Sequence, residues 1–162
     1  MRTFLIFVLV FISSSTFGQS QIIDVLSSRP HYIPYKNSID SSFEKCNSTW
    51  TTNLEWGECL GKHQQMWEKL MIQFYDSLMT MLDTTGQKRL KSSQIDWVNY
   101  QRTQKEFWGY FNFDILSPGY FGREGHFKAF YHNLYATRDR AIELHAYLVL
   151  LQESIENKNG KK

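Results

Sequence analysis

The residue types able to do chemistry are few in this chain, and their spacing excludes more than it offers. The five histidines, His31, His63, His126, His132 and His145, lack metal-ligand spacing. His126 and His132 are six apart, which on a helix points them to different faces. No Cys-x-x-Cys is present, no glycine-rich phosphate loop, and no Gly-x-Ser-x-Gly. Glu55 and Glu58 would share a helix face as paired carboxylates. Glu55 is better explained by Thr52-Asn53-Leu54-Glu55, the form of a capping box, with a hydroxyl at the cap and a glutamate three residues on. No catalytic, cofactor-binding or metal residue can therefore be assigned, and an enzyme is the least supported class. The two cysteines, Cys46 and Cys59, have twelve residues between them. They are expected to form a disulfide, whose loop closure is worth about 3 kcal/mol in the chain-entropy account.

The elements that must position these groups follow from the bulk numbers. At 162 residues the chain can bury one core, and its formal charge of +2 gives no electrostatic support for binding nucleic acid. Residues 1–18 read as a signal peptide. Arg2 precedes the apolar run Phe4 to Ile12, and Thr16 and Gly18 stand at −3 and −1 of a cut before Gln19. Cleavage would leave a net charge of +1, and the apolar run falls short of the ~20 residues a membrane span needs. The mature chain is expected in the periplasm or secreted. Residues 19–45, polar and broken by Pro30 and Pro34, are expected to form an extended arm without a core of its own. Residues 46–157 would be the helical domain, and 158–162 a polar tail.

Three helices are predicted. The first starts at the Thr52 cap and runs to Leu82, with Trp67, Met71, Phe74, Leu78 and Met81 at steps of 4, 3, 4 and 3. Gly57 and Gly61 in its early turns could permit close approach of the disulfide loop. Thr84-Thr85-Gly86 breaks the pattern. A second helix, Gln87 to Asn112, carries Leu90, Trp97, Tyr100, Phe107 and Phe111 on one side, and is expected to be the centre on which the other two pack. After the loop Asp114 to Gly125, the third has the cleanest register: Phe127, Phe130, Leu134, Thr137, Ala141, Leu144, Leu148, Leu151 and Ile155 alternate steps of 3 and 4. The fold class is thus all-α, an antiparallel three-helix bundle with an extended N-terminal arm.

In their order and spacing these residues resemble the LprI-like lysozyme-inhibitor family, in its N-terminal helical domain. Cys46, Thr52, Glu55 and Cys59 match its entry pattern; Leu90, Gln94, Trp97 and Tyr100 its central pattern; Thr137, Arg140 and Leu144 its closing one. Gln101 stands where the family usually has arginine. A second cysteine pair found in many members is absent at both its places, Lys105 and the neighbourhood of His132. In the first helix, Trp67 and Met71 replace an acid and an amide, which implies a more apolar seam.

What the resemblance implies is a protein-binding inhibitor of a lysozyme-type glycoside hydrolase. The alternative is a structural or scaffold module of the cell envelope with another protein partner. Many lysozymes are basic, and a chain at +1 has no long-range attraction to them, so contact would depend on short-range fit. If the chain inhibits, the loop is the expected contact surface, through Tyr120, Phe121 and Arg123; an arginine beside two aromatics could meet a catalytic carboxylate and the sugar-binding walls of a cleft. The alternative is that Tyr120 and Phe121 fold back to plug the end of the bundle while Arg123 starts the last helix.

Overall fold

The computed structural model describes residues 37–115 and 122–160, without the side chains at 113 and 122–127. The described residues are helical, with no strand among them. In chain order they form α1 (Ser38–Thr49), α2 (Asn53–Met81), α3 (Thr84–Tyr110), a π-helical turn (Phe111–Ile115) and α4 (Gly122–Asn159). The signal peptide and residues 19–36 of the expected arm lie outside the described residues.

Each helix start has a local cause. Asn37 caps α1, its Oδ1 accepting from the backbone N–H groups of Ile39 and Asp40. Thr52 caps α2 in a complete capping box: its hydroxyl accepts from Glu55 N–H, and the Glu55 carboxylate accepts from Thr51 and Thr52 N–H. These bonds, led by those from Thr51, hold the Glu55 carboxyl below its ordinary pKa. Asp83 caps α3 through Gly86 N–H, so the link from α2 shrinks to Leu82-Asp83, and Thr84 to Gly86 become the first turn of α3. Gln87 then reaches back and donates to the carbonyls of Met79 and Leu82, closing the end of α2.

Partner residues rise together along α2 and α4. Gln64 meets Thr137, Trp67 meets Arg138, and Phe74 meets His145. These two helices are therefore parallel, and their contact is the main seam. Along α3 the numbers fall, with Gln87 near Met79 and Gln94 near Met71, so α3 is antiparallel to both. The core has two halves. Leu78, Leu144 and Leu148 form one, covered by Leu90 of α3. The other gathers Ile39 and Phe43 of α1 with Leu60, Trp67, Leu134, Ala141 and Ile142, and it takes no residue from α3.

Two expectations are corrected here. Residues 38–45, read as the end of an arm, begin a helix that supplies Ile39 and Phe43 to the core. The Cys46–Cys59 bridge, with a Cα–Cα distance of 6.0 Å, ties α1 to α2. The second correction follows from the first. Because α1 fills that half of the core, the aromatic half of α3 does not, and α3 has no buried residue at all. Trp97 is half-buried, while Tyr100 and Phe107 are 55 % and 56 % exposed. The buried indole is Trp67, 1 % exposed on α2. The replacement of polar groups at Trp67 and Met71 does give an apolar seam, since Met71 packs against both core halves. Gly61 serves no close approach: a Cβ there would meet nothing within 4 Å.

Candidate functional site

Three groups of polar or aromatic residues could carry function, and two of them are spent on the fold. The first surrounds the disulfide. The His63 ring is buried, with Nδ1 2.7 Å from the Cys59 carbonyl and Nε2 2.8 Å from the Ser42 hydroxyl. A carbonyl only accepts, so Nδ1 carries the proton it donates there. Cys46, Cys59 and His63 lie within 4.8 Å of one another, a distance at which three such groups can hold a metal ion. Here the two sulfurs are joined to each other, and the cluster works as a clamp between α1 and α2. Beside it Arg138 is buried against Asp40: Nε donates to Oδ1 and Nη2 to Oδ2, both at 2.8 Å. The guanidinium also sits 5.6 Å from the Trp67 ring centre. The Cys46–Cys59 bridge of this clamp is the one expected from the sequence, whereas the parts played by His63, Asp40 and Arg138 were not. The available signal was Asn37 as a cap, followed by Ile39, Phe43 and Cys46 at steps of 4 and 3.

The second group contains the motif residues. Buried Arg140 donates from Nε to Gln94 Oε1 at 3.0 Å, from Nη2 to Ser93 Oγ at 3.0 Å, and from Nη1 to Glu143 at 2.7 Å. Gln94 Nε2 points at the Met71 sulfur, 3.8 Å away. Thr137 takes a hydrogen bond from Gln64 at 2.9 Å, and Leu90 and Leu144 pack in one core half. Tyr147 donates to Glu143 beside this network, and burial, then that hydrogen bond, pushes its hydroxyl pKa up to about 12. Gln94, Thr137, Arg140, Leu90 and Leu144 thus join α2, α3 and α4. Their geometry is that of a scaffold, with every donor turned inward.

The third group is the open one. Beyond Gln94, α3 runs past the start of α4 without closing on it. A cavity of about 220 Å³ remains, lined by Gln101, Gln104, Trp108 and Asn112 on one side and Phe130 and Asn133 on the other. Tyr100, Phe107, Tyr110 and Phe111 are exposed on α3 and the π-helical turn, and Phe130, on the cavity wall, is 61 % exposed on α4. Phe107 and Phe111 stack on each other at 5.9 Å rather than against the bundle. Phe130, expected in the seam, sits before the point where α4 meets α2, which explains its exposure. Large exposed aromatic surface of this kind often marks an interaction site. The loop of the sequence reading begins at this same end. Tyr120, Phe121 and the side chain of Arg123 lie outside the described residues.

No curated protein and no solved structure matches the chain. The family model described as lysozyme inhibitor LprI matches residues 44–144, a span that holds both cysteines, the Thr52 cap, Gln94 and Arg140. Because that match covers more than half of the chain, the chain belongs to the family described as lysozyme inhibitor LprI.

Proposed function

We propose that this protein is an exported, non-enzymatic inhibitor that binds a lysozyme-type hydrolase with the end of the bundle where α3 leaves α4. The observation that carries this reading is the exposure of Tyr100, Phe107, Tyr110 and Phe111 on α3 and its π-helical turn and of Phe130 on α4; the sequence between them holds Tyr120, Phe121 and, in the first turn of α4, Arg123. Aromatics and arginine are the types enriched in the centres of protein interfaces. Elsewhere the large apolar groups of α2 and α4 mostly face each other, so this end offers the partner more than the seam does. Export to the periplasm or outside, with residues 1–18 removed, agrees with the disulfide and with the family. No helix among the described residues is long and apolar enough to cross a membrane. On this reading Arg123 meets a carboxylate of the enzyme's cleft, and Tyr120 and Phe121 cover its sugar-binding walls.

The test is inhibition of a panel of lysozymes by the mature chain. Tyr120→Ala with Arg123→Ala should remove inhibition and leave the thermal melt nearly unchanged. Equal inhibition by this variant would remove the loop from the contact. A parent that inhibits nothing in the panel would end the inhibitor reading in favour of an envelope scaffold.

A further inference from the structure

The cluster around the disulfide is one bond away from a second use. Cys59 and His63 stand four apart on α2 and so share a face, and Cys46 meets them from the last turn of α1. His63 Nδ1 is 3.6 Å from Cys46 Sγ and 4.0 Å from Cys59 Sγ. With Zn–S bonds of about 2.3 Å and Zn–N bonds of about 2.0–2.1 Å, sulfur and nitrogen on one tetrahedral zinc are about 3.5–3.6 Å apart. The two sulfurs would stand about 3.8 Å apart, a separation that side-chain rotation supplies when the Cα atoms are 6.0 Å apart.

The surroundings of the ring are an independent observation. Ser42 Oγ lies 2.8 Å from His63 Nε2 and 2.9 Å from the Ile39 carbonyl. A hydroxyl has one hydrogen and a carbonyl only accepts, so both bonds are made together only if Nε2 carries a hydrogen and donates to Ser42. In a neutral ring that leaves the Nδ1 lone pair facing the sulfurs, the tautomer a metal at Nδ1 requires. With the proton on Nδ1, as in the bridged chain, a neutral ring leaves Ser42 one hydrogen for two acceptors. Metal-bound histidines commonly rest their other N–H on a partner of this kind. Phe43 packs edge-on against the ring at 5.2 Å and limits its rotation.

We propose that the chain with Cys46 and Cys59 as thiols binds one Zn2+ through both sulfurs and His63 Nδ1. Two thiolates and a neutral imidazole carry two negative charges. A divalent ion therefore makes the buried site neutral, whereas monovalent copper would leave it charged. Among the described residues no further histidine, cysteine or carboxylate joins the group, so water takes the fourth position, on the side of half-buried Cys46. Binding releases the two thiol protons. Zinc and the disulfide exclude each other and fasten the same two helices. In the passage from zinc to bridge, a disulfide oxidant takes two electrons from the thiolates. The Cys46–Cys59 bond forms, the oxidant's S–S bond breaks, its two sulfurs take up two protons, and Zn2+ leaves. The proposal does not rest on the inhibitor reading, since it concerns the clamp alone.

The experiment uses the tag-free mature chain, reduced with dithiothreitol and desalted without air, beside the bridged chain. Zn2+ is titrated against a chromophoric chelator, and Co2+ serves as a spectroscopic probe. The reduced chain should bind one ion with a Kd on the order of 1 µM or tighter. Co2+ should give the intense visible bands of a tetrahedral site and a sulfur-to-cobalt charge-transfer band, both lost when Zn2+ is added. The bridged chain should bind neither ion at this strength. His63→Gln should weaken zinc binding to the reduced chain about a hundredfold, and Ser42→Ala about tenfold. Circular dichroism of each variant in its bridged form checks the fold. Should His63→Gln fail to fold, nitrogen NMR of the parent's imidazoles decides: the His63 proton should be on Nδ1 in the bridged chain and on Nε2 in the zinc form. A reduced chain that binds zinc more weakly than about 100 µM overturns the proposal. So does an affinity unmoved by His63→Gln, a bridged chain that binds as tightly, or a zinc form in which Nδ1 keeps its proton.

Discussion

Replacing Asp40 by asparagine removes the charge that faces Arg138 and leaves the rest of α1 in place. In the parent both oxygens of Asp40 accept from the guanidinium at 2.8 Å, and the arginine side chain is buried. Breaking a buried pair from one side costs about 3–5 kcal/mol, chiefly because the remaining charge is desolvated and unpaired. Arg138 would keep Asp139 at 3.2 Å, which is solvent-exposed, and the Trp67 face at 5.6 Å. These residual partners place the expected loss at the lower end, about 3 kcal/mol. With a urea m-value of ~1–3 kcal/mol/M, the unfolding midpoint should fall by about 1–3 M. Asp40→Leu combined with Arg138→Met removes both charges and should return stability to within about 1 kcal/mol of the parent or above it. Urea melts followed by helical circular dichroism measure all three. An Asp40→Asn midpoint within about 0.2 M of the parent would refute the claim that α1 is held to the core by this pair.

The other predictions test the packing from different sides. Trp67→Ala should cost about 3–5 kcal/mol as the loss of a fully buried indole, while Trp97→Ala, half-buried, should cost about 1–2; equal losses would restore the central role once expected of α3. Gly61→Ala should stabilise by about 0.5–1 kcal/mol, since the new methyl meets open space in a helix interior, and a lower melting temperature would contradict this. Cys59→Ser should cost about 2–4 kcal/mol and release α1, read as faster amide exchange over residues 38–49; unchanged exchange there would count against the clamp. Burial holds the His145 imidazole below its ordinary pKa. The unfolded chain then binds this proton more readily than the folded one. The contribution of His145 is therefore complete above about pH 6.5 and is lost as pH falls below it. The parent should lose more stability than His145→Leu between about pH 7.5 and 5, and parallel curves would show the ring is solvated.

Local rules were enough for much of the fold. The Thr52 box lies within four residues, and the α4 register from Leu134 to Leu148 is a repeat that any helix of that sequence would display. Gln94, a residue of the family's central pattern, holds Arg140 with its amide oxygen. The aromatic stripe of α3 shows the limit of such reasoning. Periodicity says that Trp97, Tyr100 and Phe107 share a side; it does not say that anything covers that side. What covers the corresponding core half is α1, whose Ile39 and Phe43 sit in a stretch made polar by its neighbours and preceded by prolines. The cavity was not legible at all. It depends on how residues 101–112 lie against 129–133, a register to which the Arg140 bonds to Gln94 and Ser93 contribute. Its one local trace, an asparagine four residues after a tryptophan, has no meaning without that register.

The most direct measurement of the central claim is amide hydrogen exchange of the mature chain, alone and saturated with a lysozyme-type hydrolase. The account predicts slowed exchange from Tyr100 through Phe130, covering the end of α3, the loop and the start of α4, with α2 unchanged. Slowed exchange confined to α2 or to α1, with residues 100–130 as fast as in the free protein, would contradict it.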